Sequence, residues 1–162
     1  MMYFSKALLA SLLAGAALAA AESHTVKFTN NCGTGTPKLY NQTGKLLHSG
    51  GGAYKHNGPL VGAIAYLQTG PCGANGDNCP LLETTLRNPT SPGAGSSTDI
   101  SLIPPHAFTK GIRFAYYNGC DGKGKTCKSA NCKGAFHKPD DYGAQVQCEK
   151  NGVDLHVIFC PA

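Results

Sequence analysis

The stretch that decides the fold reads Val153-Asp154-Leu155-His156-Val157-Ile158-Phe159. Apolar and polar side chains alternate in it, as in a β-strand with one buried face. The same period of two recurs in residues 26–29, 82–87, 99–102 and 112–116, and residues 61–67 form an apolar run typical of a central strand. Residues 89–97 and 121–133 are rich in turn-forming residues and are predicted to be loops. We therefore predict an all-β domain, either a sandwich or a barrel.

Composition narrows the class of protein. The chain has 162 residues with 21 Gly and 10 Pro, and only 14% of its residues are charged. This length suits one domain, and the frequent turn formers leave no room for long helices. The net charge is +5, and no two Lys or Arg residues are adjacent. Such spread-out charge argues against a nucleic-acid-binding protein.

The first 21 residues predict secretion. Lys6 precedes an apolar run over residues 7–19, and Ala19-Ala20-Ala21 offers a cleavage site, which together match a signal peptide. The run is shorter than the ~20 residues of a membrane span. We expect residues 22–162 to be a soluble extracellular or wall-associated monomer that does not associate with membranes. The sequon Asn41-Gln42-Thr43 predicts N-glycosylation at Asn41.

Strand alternation also predicts a shared polar face. Glu83, Thr85 and Arg87 point away from Leu82 and Leu86, and on a second strand Asp99 and Ser101 point away from the core. If these two strands are neighbours, two carboxylates and an arginine lie on one open face. The plain interpretation of that face is a solvated sheet surface with an Arg–Glu pair.

Eight cysteines in a secreted chain indicate disulfides. No pair has the C-x2-C spacing that a zinc site would show. The number of cysteines alone allows 105 different sets of four disulfides.

Six landmarks in order resemble the thaumatin-like protein family. The segment Phe28-Thr29-Asn30-Asn31-Cys32 resembles its first strand, Gly70-Pro71-Cys72-Gly73 with Cys79 its G-x-C-G…C loop, and Phe159-Cys160-Pro161 its last strand. Between them, residues 82–86, residues 99–103 with Phe108, and residues 132–136 resemble L-A-E-F-x-L, D-I/V-S-x-V/I and C-P-D-A-F/Y. The chain is similar to the small, cysteine-poor secreted members found in fungi.

The resemblance implies a disulfide-stapled β-sandwich over residues 22–162 without the second disulfide-rich lobe of full-length members. Since Cys127 and Cys132 are close in sequence, that lobe is reduced here to a short loop. The implied disulfides are Cys32–Cys160, Cys72–Cys79, Cys120–Cys148 and Cys127–Cys132.

The family's acidic cleft is attributed to one Arg, one Glu and three Asp. Glu83 matches the Glu and Asp99 one Asp, whereas Ser96 and Gly134 stand where the others would be. No Arg occupies the family's position, although Arg87 could substitute from the same strand face. Asp141 is the nearest remaining acid.

We expect a binding protein for cell-wall carbohydrate, above all β-glucan, with an antifungal or wall-remodelling role. The predicted binding residues are Glu83, Thr85, Arg87, Asp99, Ser101, Arg113 and Tyr117. Tyr54, Tyr66, Tyr116 and Tyr117 are candidate sugar platforms, although ordinary strand packing also explains them.

The alternative enzymatic function is weak β-1,3-glucan hydrolysis by Glu83 and Asp99, because glycosidases use paired carboxyls. Without a second lobe to exclude water, we expect neither carboxyl to be strongly desolvated. A third hypothesis is a secreted enzyme inhibitor or effector that uses residues 89–97 or the loop bearing Lys123, Lys125, Lys128 and Lys133.

A metal site is a further alternative. Cleavage after Ser23 would make His24 the first residue, and an N-terminal His with His106, His137 or His156 could chelate copper. The family has no such site and Ala21 is the better cleavage residue, so we expect neither a metal nor a cofactor.

Overall fold

A computed structural model describes residues 21–162. The predicted signal peptide, Met1 to Ala21, lies outside the described residues except for Ala21. The part of the chain that is described contains no helix long and apolar enough to cross a membrane.

Residues 21–162 form eleven strands and two short 3₁₀ turns. The strands are β1 (Ser23–Asn30), β2 (Thr36–Tyr40), β3 (Leu46–Ser49), β4 (Gly52–Asn57), β5 (Leu60–Gln68), β6 (Leu81–Leu86), β7 (Ser96–Ser101), β8 (Ile112–Tyr117), β9 (Gly124–Cys127), β10 (Val146–Cys148) and β11 (Asp154–Phe159). The 3₁₀ turns are Ala74–Gly76 and Tyr142–Ala144.

The strands make two sheets. The five-stranded sheet has the order β4-β1-β11-β8-β9, and the six-stranded sheet has the order β10-β7-β6-β5-β2-β3. β1 and β11 run parallel, and the other pairs of neighbours are antiparallel.

One apolar layer fills the space between the sheets. Val26 and Phe114 from the five-stranded sheet and Leu82 and Ile100 from the other are fully buried in one cluster. The alternation seen in the sequence sends these side chains inward and leaves the polar residues outside. The prediction of an all-β, disulfide-stapled sandwich is confirmed.

β5 is buried on both of its faces over part of its length. Tyr66 and Leu81 lie on the outer face under the loop closed by Cys72 and Cys79, in a small second cluster. Gly76 in this loop lies so close to the Tyr66 ring that a Cβ would be 3.1 Å from it. The double burial explains why residues 61–67 read as a continuous apolar run.

The two predicted loops are only partly correct. β9 lies within the predicted loop 121–133, and β7 begins at Ser96, inside the predicted loop 89–97. Gly and Lys have low strand propensity, but pairing with β8 along Ile112–Ala115 overrides it. Local composition therefore missed an edge strand that exists through its partner.

Four disulfides join Cys32–Cys160, Cys72–Cys79, Cys120–Cys148 and Cys127–Cys132. These are the pairs that the family resemblance implies. Cys32 follows β1 and Cys160 follows β11, so this bond joins the ends of two parallel neighbours across a sequence separation of 128.

The two extreme disulfides should differ in their contribution to stability. By the loop-entropy model, removal of Cys32–Cys160 by double Ala substitution should lower the free energy of unfolding by about 5 kcal/mol, because it closes the longest loop. The same substitution at Cys127–Cys132, with a separation of 5, should cost only about 2 kcal/mol. Urea unfolding of the two double variants provides the measurement, and equal losses would contradict the entropic explanation.

Candidate functional site

Two adjacent strands bring the predicted carboxyls together. In the antiparallel pair β6–β7, Glu83 lies opposite Asp99, and Thr85 lies opposite Ser97. Directly opposed residues point to the same side of a sheet. All four side chains therefore belong to the outer face of the six-stranded sheet, away from the core.

A continuous polar groove runs along this face. A cavity of about 200 Å³ is lined by Gly62, Ile64, Glu83 and Asp99, together with Thr85 and Ser97. Thr85 and Ser97 also line a neighbouring cavity of about 290 Å³, which adds Arg87, Gln145, Gln147 and Glu149. We call the two together the polar groove.

The two carboxyls have different surroundings. Glu83 is exposed, whereas the exposed fraction of Asp99 is only 9%. Burial raises the pKa of Asp99 to about 7, and the nearby charge of Glu83 adds to this rise, while a hydrogen bond with the Gln145 side chain opposes it. Asp99 thus holds its proton up to neutral pH.

The expectation that neither carboxyl would be desolvated was wrong for Asp99. β10 pairs with β7 at Val146–Thr98, so Asp99 does not lie on an edge strand. Gln145, the residue before β10, reaches Asp99 from this side. A three-residue strand therefore supplies the burial that we had expected only from a second lobe.

Three predicted binding residues lie outside the polar groove. Ser101 is 3% exposed, and its hydroxyl accepts a hydrogen bond from the Ile103 amide. Arg113 and Tyr117 are on β8, in the five-stranded sheet, and alternate with the buried Phe114. They therefore face outward on the opposite side of the sandwich. Alternation predicts which side of its strand a residue occupies, but it does not predict which sheet that strand joins.

The groove residues that were missed include Ser97, Gln145, Gln147 and Glu149. Ser97 is two residues from Asp99, so alternation alone would have placed it on the same face. Gln145, Gln147 and Glu149 alternate with Val146 and Cys148. This alternation indicates a strand, but it extends over only five residues. Their position also depends on Gly95, whose amide donates to Glu149 Oε1 at 3.1 Å. A Cβ at Gly95 would collide with the Cys148 carbonyl oxygen.

Asp141 and His24 have roles outside the polar groove. The Asp141 carboxylate accepts hydrogen bonds from the backbone amides of His137 and Lys138, at 2.9 and 3.2 Å, and these bonds lower its pKa. His24 is fully buried, with Nδ1 2.6 Å from the Val153 carbonyl oxygen and Nε2 3.0 Å from Glu22 Oε1. The complete burial of the ring and the contact of Nδ1 with the Val153 carbonyl argue against the copper hypothesis, in which cleavage after Ser23 would remove Glu22. Within residues 21–162, no group of three or more His, Cys, Asp or Glu is placed to hold a metal ion.

The tyrosines do not form platforms in the groove. Tyr66 and Tyr116 are buried, and Tyr54 and Tyr117 are half-buried. No tyrosine of the described chain lines the polar groove. Its apolar surface comes instead from Val61 and Ile64.

Comparison with known proteins gives a distant relative. No family model matches the chain. It is 28% identical over 130 residues to a thaumatin-like pathogenesis-related protein 2 of Avena sativa, and the match covers 80% of this chain. The aligned region is 65% of the relative, so the chain spans just under two thirds of that protein's length. Together with the two sheets and the four disulfides, this similarity supports a place in the thaumatin-like protein family.

Proposed function

We propose that this protein is a secreted binding protein for cell-wall polysaccharide and that the polar groove takes a β-glucan chain. The observation that carries the proposal is the continuity of the groove, where Glu83 and Asp99 lead through Thr85 and Ser97 to Arg87. A sugar hydroxyl both donates and accepts hydrogen bonds. Carboxyl and hydroxyl oxygens, two side-chain amides and a guanidinium can satisfy both roles.

The relative from Avena sativa supports a proposal for the biological role of this chain. Its name marks it as a pathogenesis-related protein, and we extend to this chain an antifungal or wall-remodelling role. We further propose a small member of the family with a single β domain, since residues 21–162 form one two-sheet sandwich.

Secretion and glycosylation belong to the same proposal. Four disulfides suit an oxidising, extracellular compartment. Asn41 lies in the turn between β2 and β3, where its Oδ1 accepts hydrogen bonds from the Thr43 amide at 3.1 Å and hydroxyl at 2.8 Å. Both neighbours in the sequon, Gln42 and Thr43, are exposed. This turn is open to an N-glycan.

A second candidate function is hydrolysis of the bound glucan. It is favoured by the pairing of exposed Glu83 with Asp99, whose pKa is raised to about 7. A glycosidase needs one carboxyl that remains protonated to donate to the leaving oxygen. We assign that role to Asp99, with Glu83 as the second carboxyl.

The binding proposal predicts a localised loss of affinity. Arg87→Ala removes a charged hydrogen-bond donor from the groove, and we expect co-sedimentation with insoluble β-1,3-glucan to weaken about 10-fold. Lys123→Ala is the matched control, because it removes one exposed cation that precedes β9 and does not line the groove. Wild-type protein that stays wholly soluble, or an equal loss in both variants, would remove the proposal.

The hydrolysis proposal predicts that both carboxyls are required. Reducing-sugar release from laminarin should disappear in Glu83→Gln and in Asp99→Asn, while binding persists. In wild-type protein, release should fall as the pH rises through about 7, because Asp99 then loses its proton. Unchanged release in either variant would show that the pair is not catalytic.

Burial of Asp99 also predicts a pH-dependent stability change. The folded-state pKa of about 7 exceeds the unfolded value of about 3.9, so stability falls as the pH rises between these values. Asp99→Asn should raise the free energy of unfolding by up to about 4 kcal/mol at pH 8, and by almost nothing at pH 3.5. Urea unfolding at both pH values measures this, with exposed Asp140→Asn as control. An equal gain at the two pH values would mean that ionisation of Asp99 is not the cause.

A further inference from the structure

The outer face of the five-stranded sheet carries a group of cations. Lys27 lies on the outward side of β1, between the buried Val26 and Phe28, and is exposed. Lys55 on β4 lies opposite Thr25 of β1, and exposed Arg113 on β8 lies opposite Ile158 of β11. All three therefore point to solvent on the side opposite the polar groove.

Register places these cations on a diagonal. Lys55 is on the neighbouring strand, two residues from Ala53, the residue opposite Lys27. Standard sheet spacings give a separation of about 8 Å between Lys55 and Lys27. Arg113 is two strands away in the opposite direction. It lies opposite Ile158, two residues beyond the His156 that pairs with Lys27, which places it about 12 Å from Lys27. We call Lys55, Lys27 and Arg113 the cationic stripe.

No residue of the stripe forms an ion pair within the described chain, and Lys55 shares a cavity of about 600 Å³ with Glu22 and Asp154. The ion pairs among residues 21–162 are His24–Glu22 and Lys138–Asp140, and neither involves a residue of the stripe. The acidic residue that register places on this face is Asp154, which is only 8% exposed. Its two oxygens accept hydrogen bonds from the Thr25 amide and the Asn118 side chain.

His156 lies inside the stripe. It pairs with Lys27 across β1–β11, and its Nε2 is 2.9 Å from the Thr29 hydroxyl. Burial lowers the pKa of His156, and the charges of Lys27 and Arg113 lower it further. The other titratable groups on this face are Asp154, two residues away on its own strand, Tyr117 on β8 and Lys55 on β4. A bound polyanion would offset the two cations and favour protonation of His156.

We propose that the cationic stripe binds a linear polysaccharide that bears carboxylates, such as a uronic acid polymer, laid diagonally across the sheet. Unpaired cations at intervals of about 8–12 Å match an extended chain of anionic sugars. Thr25, Thr29 and Thr126 lie on the same outer face, where their hydroxyls can contact the sugar hydroxyls.

The surroundings favour a polysaccharide over other polyanions. The disulfides place the chain in an oxidising compartment, where nucleic acid is not the usual partner. The face offers half-buried Ile158 as its largest aliphatic side chain, too little apolar surface to insert into a lipid bilayer. The proposal goes beyond the glucan groove, since it assigns a second ligand class to the opposite side of the sandwich.

Binding of polygalacturonate by the mature protein at about 0.15 M salt tests this inference. The variant Lys27→Gln/Lys55→Gln/Arg113→Gln should lose affinity about 10-fold or more, because three exposed charge contacts are removed. The control Lys123→Gln/Lys128→Gln/Lys133→Gln changes the net charge equally and should stay within about 2-fold of wild type, since general attraction to net charge is weak and screened. Equal losses in both variants, or no binding by wild type, would overturn the proposal.

Two further measurements separate the stripe from its alternatives. Wild-type affinity for polygalacturonate should rise between pH 7 and pH 5 as His156 gains its proton, and this rise should be absent in His156→Gln. Retained β-1,3-glucan binding by the stripe variant shows that the two surfaces are independent. If the groove proposal fails, the comparison of polygalacturonate binding between the stripe variant and its control still tests the stripe. Tighter binding to phosphatidylserine vesicles or to duplex RNA than to polygalacturonate would refute the assigned ligand.

Discussion

The parallel pairing of β1 with β11, closed by Cys32–Cys160, is the constraint on which the architecture depends. A parallel pair cannot be joined by a tight turn, so the chain between the two strands must leave the sheet and return. Here the excursion builds the whole six-stranded sheet. β4 and β8 then flank the central pair by antiparallel pairing. The fold thus consists of a five-stranded sheet centred on the disulfide-linked pair β1–β11 and a six-stranded sheet packed over it.

The two layers are also joined by polar contacts. The Tyr116 hydroxyl of β8 hydrogen-bonds the Thr98 hydroxyl of β7 at 2.9 Å and the Val146 carbonyl oxygen of β10 at 3.0 Å. These contacts satisfy a buried polar group and hold the short β10 in place. The polar groove with Glu83 and Asp99 lies on one outer face, and the cationic stripe lies on the other. The inner polar contacts therefore keep two chemically different surfaces in a fixed relation.

Sequence reasoning predicted the strands whose own side chains show alternation, such as residues 112–116, and the shared side of Glu83 and Asp99. It could not predict which strands are neighbours, because pairing depends on contacts distant in sequence. For that reason Arg113 was grouped with Glu83 and Asp99, which lie on the other sheet. β9 was missed because its stability comes from β8 and not from its own composition. Burial of Asp99 was missed for a related reason, since it depends on Gln145 and β10.

The attachment of β10 has a consequence for motion. It pairs with β7 through three residues, is anchored by Cys148 at one end, and leads at the other end into Gln145, the residue that contacts Asp99. Local opening from the Gln145 end would rehydrate the Asp99 carboxyl, and ionisation of that carboxyl would in turn favour opening. Amide protons of β10 should then exchange with solvent faster as the carboxyl ionises. The local opening of β10 and the ionisation of Asp99 are therefore coupled, and a measurement of either one reports on the same equilibrium.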